Sequence, residues 1–293
     1  VLSRQQYGLL LALTLMWGLN WPIMKFSLRE MSPLYFRALT MTGGALWLAL
    51  WYWRQGVRLR PSGPEWRDIV RLGLPNVLGW HTLAILGVSQ LASGRAAILG
   101  FTMPIWTVLI GAALFGERLT GRVTLAVLSV CAAVGLLTWH EFSALSGKPL
   151  GVVFMLCAAV SWAVGTLLMR RATLTLRIEA LTVWMMGLGS VCLWFMAFAF
   201  EPVPTGPYSS AFWWSIVWGI FMNYGFAQII WFGMAKNLPP ATSAMSIMAV
   251  PLLGTLSATW IVGEVPHWQD WMSVVFVSAA IALVLLRKPT IRS

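Results

Sequence analysis

Long apolar runs dominate this chain, and short polar stretches punctuate them. The apolar runs lie near 7–28, 33–53, 69–91, 96–115, 121–140, 149–171, 178–200, 212–236, 242–262 and 269–287. Each comes close to the ~20 residues that an α-helix needs to cross the hydrocarbon core of a bilayer. They do not alternate with the period of two that marks a half-buried strand. Backbone polar groups cannot go unpaired in lipid, so the runs predict spanning helices. The breaks are short and often closed by Pro or Gly, as at Ser32-Pro33 and Gly147 to Pro149. The longest break, 54–68, contains Ser62, Pro64 and Glu65 in a capping-box pattern. The third helix is therefore expected to start before its apolar run does.

One stretch is written twice. Pro104 leads through an apolar run to Gly116-Glu117, and Pro251 leads through another to Gly263-Glu264. Proline and glutamate are 13 residues apart in both (117−104 and 264−251), and the copies are offset by 147 (251−104). Asn76 and Asn223, His81 and Gln228, and Ala97 and Ala244 obey the same offset. A second anchor, Trp17 with Met24-Lys25, recurs as Trp162 with Met169-Arg170 at an offset of 145 (162−17). The chain is thus expected to be two repeats, 1–145 and 146–293, each of five helices.

Composition narrows the class. The chain is 59% hydrophobic and 10% charged, far from the roughly 25% charged residues of soluble domains. Its net charge of +11 is spread over short loops and forms no basic domain, which argues for topology and against nucleic acid. If the N-terminus is cytoplasmic, 15 of the 20 Lys and Arg fall on that side; Lys25, Arg29, Arg37, Arg95 and Lys148 face the other. That bias places both termini in the cytoplasm. Five spans per repeat is an odd number, so the second repeat enters the membrane from the opposite side. Inverted repeats are characteristic of secondary transporters, whose site lies near the midplane between the repeats. Cys131, Cys157 and Cys192 fall inside spans without metal-ligand spacing and read as packing residues. Metal, cofactor and catalytic residues are each read as none.

Ten spans in two halves, Trp17, Gly18, Asn20 and Trp21 in the first helix, and Pro-x11-Gly-Glu closing the fourth and ninth resemble the drug/metabolite transporter superfamily, EamA-type. Within it the chain is most similar to the aromatic amino-acid exporter subgroup of bacterial inner membranes. The resemblance implies a central cavity lined by helices one, three, four, six, eight and nine.

Candidate cavity residues follow from helical spacing. Trp17, Asn20, Trp21 and Met24 share one face of the first helix, and Trp162 stands on the matching face of the sixth. An Asn between tryptophans inside a membrane needs a partner or a cavity. His81, the one histidine inside a span, is matched by Gln228, which shares a face with Tyr224 and Trp231. Pro104 and Pro251 each remove a backbone bond and are expected to kink their helices, with Met103, Ser246 and Met248 beside them. Helix packing and interfacial tryptophans are the plainer readings of the same residues.

Absences separate the functions. All nine carboxylates fall at or beyond predicted span ends, which argues against a proton-coupled exporter of cationic drugs. No Lys or Arg sits in mid-span, Lys25 and Arg37 coming nearest, which argues against organic-phosphate exchange. The sequence reads as an all-α polytopic membrane protein, ten transmembrane helices in two inverted five-helix repeats around a central cavity. Its expected function is export of small neutral metabolites, amino acids with aromatic or apolar side chains first, by alternating access. The alternatives are export of other solutes such as hydrophobic drugs, or a membrane enzyme, for which no nucleophile–base pair is visible. The partners are a small-molecule substrate and the lipid bilayer. With His81 as the only near-neutral titrating group inside a span, no fixed proton stoichiometry is expected.

Overall fold

The computed structural model describes the backbone of residues 4–116, 120–143, 148–231 and 240–285; the side chains of 143, 240–248 and 285 lie outside that description. Within it the fold is all-helical. The helices are α1 (Arg4–Ser27), α2 (Pro33–Arg54), α3 (Gly63–Gln90), α4 (Ser93–Phe115), α5 (Gly121–Ser143), α6 (Pro149–Arg171), α7 (Ile178–Phe200), α8 (from Ser210 through 231), α9 (Pro240–Ile261) and α10 (Trp268–Leu285). Among the described residues six of them, α1 and α3 to α7, are long and apolar enough to cross a membrane. Leu46, Leu114, Leu128, Phe195, Phe198 and Trp260 point outward, so the exterior is itself apolar, as a bilayer requires. Cys131 and Cys157 also lie on that exterior, so they are not the buried packing residues expected, and only Cys192 is half-buried.

Local chemistry explains the helix boundaries. α3 starts at Gly63, six residues ahead of its apolar run, because Ser62 and Glu65 form the reciprocal capping box, with the Ser62 amide donating to Glu65 at 2.5 Å. Gly116 and Gly263, the glycines of the repeated Gly-Glu, both adopt left-handed backbone, with φ of +65° and +74°. A side chain is disfavoured there, which is why a glycine ends each helix.

At one end of the bundle, glutamates from one loop cap helices from another. Glu201 accepts the Leu34 and Tyr35 amides at the start of α2, at 2.9–3.1 Å. Glu264 accepts the Ser93 amide and hydroxyl at the start of α4, at 2.8–2.9 Å. Glu30 accepts the Ser209 amide and hydroxyl before α8, at 2.7 and 2.6 Å. Each supplies negative charge and an acceptor where a helix start has unpaired N–H groups. Buried Arg95 on α4 joins this layer by pairing with Glu141 on α5 and with Asp270 on α10 at 2.7 Å.

The two halves meet through matched contacts. Gly44 on α2 lets Tyr224 of α8 lie against its backbone, and Gly189 on α7 does the same for Val77 of α3. These pairs are counterparts, since 44+145 is 189 and 77+147 is 224. Both partner helices leave α geometry at the contact: Leu74–Gly79 in α3 and Trp218–Phe226 in α8 are π-helical. Asn76 and Asn223 are buried in those widened turns. Such turns are frequent at functional sites.

Candidate functional site

Two groups of side chains converge in the interior. The first is aromatic. A Cβ added at Gly100 of α4 would meet Met155 at 3.0 Å, the tip of Trp21 at 3.1 Å and the tip of Trp80 at 3.3 Å. The glycine thereby brings side chains from α1, α3 and α6 to one point. Trp21 also contacts Phe101 edge-on at 6.2 Å, and Trp80 contacts Trp162 at 5.3 Å.

The second group is polar. Tyr224 of α8, 1% exposed, lies with its hydroxyl 3.2 Å from His81 Nδ1 on α3. The same hydroxyl accepts a 2.8 Å bond from Nη1 of Arg37 on α2. Arg37 Nη2 contacts the Met24 sulfur at 2.8 Å, and its Nε is buried without a partner. Met24 stands one turn from Trp21 on α1, which links the two groups through the Arg37 contact.

The remaining expected residues divide. Trp17 is half-buried against Trp231 at 5.5 Å, and Asn20 is buried. Met103 and Gln228 are half-buried, and Met103 packs against the core. The side chains of Ser246 and Met248 lie outside the described residues. Pro104 does not sit in a continuous helix: α4 breaks at Phe101 and Thr102, and the proline stands at the start of the next segment, Met103–Phe115. Pro251 lies inside α9, which runs through it.

Sequence reading passed over Arg37 as a span-end cation. It lies four residues into α2, about 6 Å along the axis from Pro33, yet it is 3% exposed and reaches inward to Tyr224. The available signal was an arginine followed by sixteen residues without another charge (38–53). Helix two was also absent from the implied cavity walls, and Arg37 adds it.

Comparison with known proteins gives the family. The family model described as "EamA-like transporter family" matches residues 6–139 and again 149–286. The chain belongs to the EamA-like transporter family. It is therefore a multi-pass membrane transporter by family. Similar to it are "Uncharacterized transporter YoaV" of Bacillus subtilis (26% identity, covering 83% of this chain and 84% of the relative) and "Uncharacterized inner membrane transporter YedA" of Escherichia coli (24%, covering 96% and 91%). A shorter match, 28% identical over 57% of this chain and 54% of the relative, is to the "Probable amino-acid metabolite efflux pump" of Escherichia coli. These names do not single out aromatic amino acids. A solved crystal structure covers 100% of both chains with a TM-score of 0.68 at 20% identity, which shows the fold alone. In this EamA member, Tyr224 and Trp162 of the second matched segment meet His81 and Trp80 of the first.

Proposed function

We propose that this EamA member exports small net-neutral solutes, amino acids with aromatic or apolar side chains first among them, across a bacterial inner membrane. The observation that carries this reading is the interior cluster of Trp21, Trp80, Trp162 and Met155, linked through Met24 and Arg37 to Tyr224 and His81. Flat aromatic and thioether groups suit an apolar side chain, and the hydroxyl and imidazole suit a polar head. The relative named as an amino-acid metabolite efflux pump supports amino acids without choosing among side chains.

In this reading the chain has ten spans, its repeats 1–145 and 146–293 are inverted, and both termini are cytoplasmic. The exchange of partners between Gly44–Tyr224 and Gly189–Val77 supports a two-fold relation between the repeats, because such a relation pairs α2 with α8 as it pairs α7 with α3. Transport then proceeds by alternating access around the shared interior surface.

The test is amino-acid counterflow in liposomes holding only purified protein, across a panel of amino acids and hydrophobic cations. Aromatic and large apolar amino acids should exchange fastest, in pH gradients of either sign. Flux confined to hydrophobic cations would remove the amino-acid reading, and uphill accumulation driven by pH alone would remove the uncoupled one.

A further inference from the structure

Arg37 and Arg95 are both buried arginines near the same end of the bundle, and the protein treats them differently. Arg95 is neutralised by two carboxylates, Glu141 and Asp270. Arg37 bonds only neutral groups, the Tyr224 hydroxyl and the Met24 sulfur, and its Nε is unsatisfied. Among the described residues no carboxylate pairs with it. Glu201, the carboxylate nearest in the fold to the start of α2, is spent on the Leu34 and Tyr35 amides. Buried charges in proteins are ordinarily paired, and an unpaired one carries a standing desolvation cost. A guanidinium also offers five N–H donors in a planar fork that matches a carboxylate.

We propose that Arg37 is the recognition point for a carboxylate on the transported solute, so that the substrate class is carboxylate-bearing. This rests on the transport reading above and adds the chemistry that selects the cargo. The missing counter-charge arrives with the substrate, whose remainder lies along Trp21 and Trp80 from the Met24 side. A cleft of about 440 Å³ lies near the same end of α1 and α2, lined by Lys25, Leu28, Arg29, Pro33, Ser89 and Glu264. Pro33 stands one turn above Arg37, and Lys25 follows Met24. The Lys25 and Arg29 side chains there donate to the Val88, Ser89 and Val262 carbonyls, so two cations and the Glu264 carboxylate share the mouth.

The experiment compares L-phenylalanine, L-phenylalaninamide and 2-phenylethylamine as counterflow substrates of the wild type, Arg37→Gln and Tyr224→Phe. A charge-assisted pair of this kind predicts that the wild type favours the carboxylate over its amide by about 10- to 100-fold. Arg37→Gln should bring that ratio close to one, and Tyr224→Phe, which leaves the charge in place, should retain most of it. Equal transport of acid, amide and amine by the wild type overturns the proposal and leaves the transport reading standing; this arm needs no variant to fold. Retained discrimination in Arg37→Gln overturns it as well. If the wild type moves none of the three, the amino-acid reading fails, and binding decides the carboxylate question separately. Benzoate should then raise the thermal stability of the wild type, with benzamide and Arg37→Gln showing no such rise. Equal shifts with benzoate and benzamide overturn the proposal.

Discussion

α4 and α9 share the spacing of proline and Gly-Glu, yet α4 is broken near its proline and α9 is continuous through it. A proline removes one backbone donor in either case. The three residues before the proline all differ, and the one two before it carries a hydroxyl in α4 alone. In α4 that residue is Thr102, whose hydroxyl donates to the Leu99 carbonyl at 2.7 Å and accepts from Trp106 Nε1 at 3.1 Å. Its counterpart in α9 is Ala249 (102+147), which has no hydroxyl to make such bonds. The break in α4 therefore belongs to Thr102 as much as to Pro104. Two repeats with one motif can hold different backbones, and alternating access needs two halves that are related but not in the same state at once.

The largest expected effect comes from the prolines themselves. Pro104 occupies an early position of its segment, where a missing N–H costs nothing, so Pro104→Ala should shift stability by under ~0.5 kcal/mol. Pro251 leaves the Ile247 carbonyl without its helical donor, so Pro251→Ala should stabilise α9 by as much as ~3 kcal/mol. Chemical denaturation in detergent would check both, and equal shifts would dissolve the contrast between the helices.

The glycines sharpen it from the other side. Gly116 and Gly263 share a left-handed backbone, so Gly116→Ala and Gly263→Ala should each cost ~1–2 kcal/mol and cost it equally. Thermal melts that separate the two would mean that the helix ends differ as the middles do. Smallest is Thr102→Ala, expected to cost ~1 kcal/mol through the lost bonds to Leu99 and Trp106. Hydrogen exchange should then slow around residues 101–105, as this segment comes to resemble α9. Unchanged exchange would assign the break to Pro104 alone.

Much of this was legible in the sequence, wherever a residue acts through its own backbone. Gly116, Gly263 and the Ser62–Glu65 box each stand where the sequence pattern puts them, because caps and left-handed turns are local. Tyr224 and His81 were picked out from helical spacing and repeat symmetry, and they do meet. Arg37 was missed because its depth depends on which way a long side chain turns, and that is decided by Tyr224, 187 residues away. The π-helical turns were missed for a related reason. Asn76 and Asn223 were visible as a matched pair, but an extra residue in a turn leaves the apolar pattern almost unchanged.

The glutamate caps bear on how the chain is made. Glu201 caps α2 from 167 residues downstream of Leu34, and Glu264 caps α4 from 171 residues downstream of Ser93. At the usual ~5–20 residues per second of synthesis, those caps arrive roughly 10–30 s after the helices they complete. In that interval the first amides of α2 and α4 have only water and lipid headgroups for partners. α2 and α4 thus form with their first turns unfinished, and a ribosome that stalls before Glu201 leaves both of those turns without their caps.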